Sequence, residues 1–184
     1  MQKHLEIEFK TFISKEKYEE LLNKFDLNDK IFTQTNYYFD DDSFSLLKNL
    51  VVLRIRKKEQ YKLTKKEKGD NANNETSLYL TDEQAQDMIS NGFDASIIGI
   101  SSYVKTQYNL TTYRAKTPYL NGTLFLDKST YFDKVDYEIE FEALDYEEGL
   151  KTFNRFLKEN DIEKTQSISK SERAYKEYIN KLKK

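Results

Sequence analysis

At 184 residues the chain is long enough for one domain with a full hydrophobic core and too short for two of ordinary size. Charged residues make up 34% against 38% hydrophobic, and 30 basic side chains nearly cancel 32 acidic ones, which argues against a cation built for polyanionic polymers. With no cysteine and one histidine, His4, the chain has no disulfides, thiolate catalysis or zinc cluster of His and Cys, so any divalent metal would be a hard ion held by carboxylates.

The chain opens on "LEIEFK" (5–10), in which apolar and charged residues alternate strictly, the period of a strand with one oily and one charged face. Leu5, Ile7 and Phe9 share the first face; Glu6, Glu8 and Lys10 share the second. Ser14 is placed to cap a helix carrying Tyr18, Leu21, Leu22 and Phe25 at helical spacing. "QTNYYFD" (34–40), "LVVLRIRKK" (50–58) and "YKLTKKEK" (61–68) read as strands, and "DNANNET" (70–76) as a polar loop leading into "SLYL". Residues 82–91 read as a helix stopped by Gly92. Three further strands are expected over 105–120, 123–132 and 135–144. Asp145 and Glu148 form a capping box for a helix carrying Leu150, Phe153, Phe156 and Leu157, and a last helix begins near Ser171. No repeat or linker divides the chain, so residues 1–184 are expected to form one α+β domain. About eight strands joined by short connections predict an antiparallel sheet, curled or closed, with helices packed outside it.

Taken alone, Glu6, Glu8 and Lys10 would be a solvated outer face. Other strands point elsewhere. Asn121-Gly122 predicts a two-residue hairpin turn, which sets Lys116 opposite Asp127 and puts Arg114 on the same face one pleat along. A second turn at Asp133-Lys134 sets Asp127 opposite Glu140, with Glu138 and Glu142 on that side. Both registers assume two-residue loops. Carboxylates opposed this closely destabilise a sheet unless a bound cation removes the conflict; a solvated acidic strand with slipped register is the alternative. Arg54 and Arg56 in "RIR" share one face, and Lys62, Thr64 and Lys66 share a parity in the next strand. A three-residue loop at 58–60 would join both sets on one wall, and a two-residue loop would separate them. The carboxylates and cations either satisfy each other as ion pairs or await a polyanion bridged by metal. Alternate arginines offer forked donors to phosphate oxygens, and there is no glycine-rich phosphate loop.

These residues carry a resemblance. "EIEFK" is similar to the E-x-E-x-K signature of the CYTH domain, the triphosphate tunnel metalloenzymes. That family includes thiamine triphosphatases, inorganic triphosphatases and class IV adenylyl cyclases. Further landmarks follow in order: "YYFD", "LRIR", "LTKK", Glu75 in "NET", Arg114 in "YR", Asp127 in "FLD", "DYEIE" and Lys170. The resemblance covers nearly the whole chain and looks closest to the bacterial branch. It implies a closed eight-stranded antiparallel barrel, a tunnel with a charged interior and helices packed outside. It implies divalent metals, Mg2+ or Mn2+, held by Glu6, Glu8, Asp127, Glu138 and Glu140. The triphosphate would be gripped by Lys10, Arg54, Arg56, Lys66, Arg114 and Lys170, with Lys62 as an extra cation. Lys66 is preferred to Lys65 because the last lysine of "LTKK" aligns with the family's strand lysine. Tyr38 resembles the tyrosine that pairs with the signature lysine in thiamine triphosphatases, which assigns Lys10 and Tyr38 to catalysis; a packing tyrosine is the alternative. One departure is that Glu75 lacks the basic neighbours common before that glutamate.

The expected activity is metal-dependent hydrolysis of inorganic tripolyphosphate to pyrophosphate and phosphate by in-line attack of water. Tripolyphosphate is preferred to thiamine triphosphate or a nucleotide because the cations can all be assigned to phosphate and no tryptophan is present to stack on an organic ring. The alternatives are thiamine triphosphatase or adenylyl cyclase activity, a non-enzymatic module that binds polyphosphate or nucleotide, and a structural barrel with internally paired charges. The expected partner is a small triphosphate, with neither nucleic acid nor membrane. No apolar run has the length of a signal peptide or a membrane span, so a soluble, cytoplasmic protein is expected, its oligomeric state left open.

Overall fold

The computed structural model describes residues 1–166 and 168–183. In chain order it contains β1 (Gln2–Phe12), α1 (Lys15–Lys24), β2 (Phe32–Asp40), α2 (Ser45–Lys48), β3 (Val51–Lys57), β4 (Tyr61–Glu67), β5 (Asn73–Leu80), α3 (Asp82–Asn91) and β6 (Phe93–Asp94). There follow β7 (Tyr103–Tyr119), β8 (Gly122–Tyr131), β9 (Lys134–Ala143), α4 (Tyr146–Glu159) and α5 (Lys170–Leu182). The strands hydrogen-bond in the order β2-β3-β4-β5-β1-β9-β8-β7-β6, and β2 pairs in addition with β7. Eight strands thus form a closed hydrogen-bonded circuit, the antiparallel barrel that the resemblance implies, and two-residue β6 adds only to β7. No helix among the described residues is long and apolar enough to cross a membrane.

By their contacts the residues form two compact units. The first holds Met1–Leu5, Gln34–Thr111 and Ser169–Lys184; the second holds Glu6–Thr33 and Thr112–Ile168.

In the second unit, the Ser14 hydroxyl accepts the Lys17 amide and starts α1 as expected. Tyr18, Leu21 and Leu22 of α1 and Phe153, Phe156 and Leu157 of α4 bury one sheet face made of Phe9, Leu124, Leu126, Ile139 and Phe141. Because successive strand residues point to opposite faces, this packing sends Glu8, Lys10, Asp127, Glu138 and Glu140 to the other side. Two registers differ from expectation. The hairpin between β8 and β9 turns at Phe132-Asp133, so Asp127 pairs with Glu138 and Phe125 with Glu140. The turn after β7 falls at Leu120-Asn121, and Arg114 rather than Lys116 meets Asp127. Leu120 and Phe132 take up the left-handed backbone (φ 48° and 52°), where the expected turns were Asn121-Gly122 and Asp133-Lys134. Gly122 lies in the strand instead. A Cβ there would come within 2.3 Å of the Glu142 carbonyl oxygen and 2.6 Å of the Phe141 ring, so close packing demands the glycine.

In the first unit, Phe39, Leu53, Ile55, Leu63 and Leu80 pack with Ala85 of α3 and Phe93. A capping box between Thr81 and Gln84 starts α3, and Gly92 (φ 84°) ends it. The loop between β3 and β4 has three residues, 58–60, and the register pairs Arg56 with Lys62 and Arg54 with Thr64, joining both cation sets on one face. The polar stretch expected as a loop enters β5 at Asn73, because Glu75 is paired across from Lys66. Short α2 escaped the sequence reading: it has no apolar period and is set by carboxylates. Asp40 accepts the amides of Asp41, Leu46 and Leu47, and Asp41 accepts the amides of Ser43 and Ser45 and both their hydroxyls. Those hydroxyl bonds hold the Asp41 carboxyl down at about 2.

Candidate functional site

The second unit brings three of its five predicted carboxylates together. Ligand oxygens of Asp127, Glu138 and Glu140 all lie within 4.8 Å of one another, and the three residues are buried, at 0%, 1% and 8% exposure. Arg114 forks onto Asp127, Nε to Oδ1 at 2.7 Å and Nη2 to Oδ2 at 2.5 Å, and Nη2 also donates to Glu140. Its guanidinium carbon sits 4.4 Å from the centroid of the Phe125 ring. Burial opposes the charge on Arg114, but Asp127 and Glu140 outweigh it and hold the side chain above the ordinary arginine value. On β1, the Lys10 ammonium donates to Glu8 Oε1 at 3.0 Å, and the register sets Lys10 opposite Glu140. Burial would lower its pKa, but Glu8, Glu140 and Glu6 together raise it, so Lys10 stays an ammonium.

The balance of charge decides what this arrangement can do. Five carboxylates (Glu6, Glu8, Asp127, Glu138, Glu140) face two cations, Lys10 and Arg114, among these residues. An all-oxygen donor set of this kind fits a hard divalent cation, since each carboxylate has lone pairs beyond those that arginine takes.

The first unit has the opposite balance. On the face away from its apolar core, Arg56 is level with Asn36 and Lys62, Arg54 with Tyr38 and Thr64, and Lys66 with Glu75. Lys66 rather than Lys65 shares this face; Lys65 has the opposite parity and pairs with Glu67 at 3.1 Å. Glu75, whose place the sequence left in doubt, lies 3.5 Å from Arg54 Nη2. Lys62 Nζ is 5.7 Å from the Tyr79 ring centroid, and Arg56 Nε donates to Asn36 Oδ1 at 2.9 Å. Tyr38 is buried with its ring 5.3 Å from that of Tyr108. Lys170 opens α5, where Ser169 caps the helix and Tyr108 Oη donates to the Ser171 carbonyl. Arg173 lies one turn on from Lys170 and is buried, a cation the sequence reading missed although the i, i+3 spacing puts both on one side of the helix. Arginines at alternate strand positions beside lysines suit phosphate oxygens.

Comparison with known proteins agrees with this chemistry. The profile of the CYTH domain matches residues 4–175. YjbK of Bacillus subtilis (strain 168), provisionally named a triphosphatase, is 35% identical over 189 aligned residues, covering 96% of this chain and 97% of that protein. A crystal structure from Bacillus halodurans, provisionally described as an adenylate cyclase, matches at a TM-score of 0.86 and 33% identity, over 94% of this chain and 98% of that one. HpAC1 from Hippeastrum, an adenylyl cyclase candidate described as having a dominant triphosphatase activity, matches at 0.76 and 19% identity, over 94% and 95% of the two chains. At that identity the last likeness speaks for the fold alone.

Proposed function

The chain belongs to the CYTH domain family, and on that premise we propose that it is a divalent-metal-dependent triphosphatase of the cytoplasm, working as one CYTH domain on inorganic tripolyphosphate. The observation that carries this reading is the buried trio Asp127, Glu138 and Glu140, whose ligand oxygens lie within 4.8 Å of one another beside Arg114. With Glu6 and Glu8 they would hold Mg2+ or Mn2+, which when bound neutralises phosphate oxygens and helps position water.

The remaining work falls to the chain's own side chains. Arg54 and Arg56 offer forked donors to phosphate oxygens, and Lys62, Lys66 and Lys170 add point charges. Arg114, fixed by Asp127 and Glu140, presents an oriented guanidinium. Lys10, kept protonated by its carboxylate neighbours, donates to the reacting phosphate, and Tyr38 is assigned to the same step. Water oxygen attacks the terminal phosphorus as the bond to the bridging oxygen breaks. The bonding pair leaves with pyrophosphate, and orthophosphate is the second product. Charge that develops on the departing oxygens meets cations already in place, so catalysis rests on positioning and electrostatics.

The test is phosphate release from tripolyphosphate, thiamine triphosphate and ATP, each with magnesium, manganese or chelator, with ATP followed for cyclic product. Preference for tripolyphosphate is expected. Faster turnover of ATP or thiamine triphosphate would overturn the substrate assignment, and a cyclic nucleotide product would make the chain a cyclase.

A further inference from the structure

Asn36 lies on the cation-bearing face of the first unit, level with Arg56 on the neighbouring strand, and is 1% exposed. Its two side-chain ends fare differently. Oδ1 accepts the Arg56 Nε hydrogen at 2.9 Å, which fixes the amide orientation because that nitrogen can only donate. The opposite end, Nδ2, is buried and has no hydrogen-bond partner among the described residues. A buried amide donor without an acceptor is costly. Its neighbours on this face do little to help. Arg54 and Arg56 donate and do not accept. A ligand rich in oxygens would supply the missing acceptor.

We propose that Asn36 is a phosphate-binding residue: its Nδ2 donates to a phosphate oxygen of the triphosphate, beside the Arg56 guanidinium that its Oδ1 holds in place. The assignment rests on the triphosphatase reading and adds a neutral donor to a set recognised only by its charges. One amide thereby does two jobs. It holds the Arg56 guanidinium through Nε, and it extends the row of donors by one without adding charge.

The test uses the full chain in chelator, where metal-dependent hydrolysis does not run, and measures the dissociation constant of tripolyphosphate by calorimetry. The proteins are wild type, Asn36→Ala, Asn36→Asp, Arg56→Ala and the double variant Asn36→Ala/Arg56→Ala, each melted without ligand to establish that it folds. Asn36→Ala should weaken binding about tenfold to a hundredfold, the usual worth of a hydrogen bond to a charged group. Asn36→Asp keeps the shape and the acceptor for Arg56 but turns a donor into a negative charge, and should weaken binding further. In the Arg56→Ala background, Asn36→Ala should still weaken binding. Wild-type affinity in Asn36→Asp overturns the assignment. So does loss of the Asn36→Ala effect once Arg56 is gone, since the residue would then act through the arginine alone. A wild-type chain that binds no tripolyphosphate with or without magnesium contradicts the triphosphatase reading as a whole, and the assignment with it.

Discussion

In the second unit the charged side chains of the sheet already hold one another: Arg114 grips Asp127 and Glu140, and Lys10 grips Glu8, within a set that is richer in carboxylates. In the first unit the face away from the apolar core carries Arg54, Arg56, Lys62 and Lys66 with Glu75; Arg54 lies 3.5 Å from Glu75 and Arg56 donates to Asn36. A set rich in carboxylates suits a divalent cation and a set rich in arginine and lysine suits a polyanion, so the two units offer different chemistry. The contrast makes separate demands on the two units.

The largest effect should follow Glu140→Gln, which removes one carboxylate charge and weakens the hold on Arg114. Turnover should fall on the order of a thousandfold, the scale of losing several kcal/mol of charge stabilisation, while circular dichroism reports an unchanged fold. Wild-type rates would remove the metal assignment. Arg114→Met should lower stability without metal by about 3–5 kcal/mol, because it strands buried carboxylates, and magnesium should recover part of the loss. Equal denaturant midpoints with and without magnesium in that variant would show that no cation compensates the cluster. Arg54→Ala and Arg56→Ala should each raise the KM for tripolyphosphate about tenfold to hundredfold, leaving the rise in melting midpoint caused by manganese as in wild type. A lost manganese response in those variants would erase the distinction between the units.

The smallest effect lies away from both charged faces. Asp41 has an ordinary value of 3.8 and is held at about 2 by its bonds to Ser45 and Ser43. A carboxyl with a depressed folded-state pKa stabilises the fold above its unfolded value, and that contribution is lost as pH falls through the folded value. Asp41→Asn should therefore cost about 0.5 kcal/mol at neutral pH, a figure that allows for solvent exposure, and the difference from wild type should vanish as pH falls from 4 to 2. A gap between the melting curves that persists below that window would place the effect elsewhere.

Strict alternation made the faces legible: once Ile7 and Phe9 were assigned to packing, Glu6, Glu8 and Lys10 had to point the other way. Pairing partners were less legible, because turn chemistry misled. Asn-Gly carries the strongest turn signal, yet the chain bends one residue earlier at Leu120, and Gly122 serves a close approach to Glu142 and Phe141. At the other hairpin the partner of Asp127 moved from Glu140 to Glu138, an even step that left every side chain on its expected face. The site survived the error for that reason. Asn36 was missed because it carries no charge, although its parity with Tyr38 in "QTNYYFD" already placed both on one face. Helix α2 was missed because the Asp40 and Asp41 carboxylates that organise it leave no periodic trace.

The decisive measurement is orthophosphate release from tripolyphosphate, followed with magnesium or manganese and then after chelation. One orthophosphate and one pyrophosphate per tripolyphosphate are expected in the presence of metal, with arrest when the chelator is added. Release that continues in chelator would contradict the role given to Asp127, Glu138 and Glu140, and tight binding of tripolyphosphate without release in either metal would make the protein a binding module.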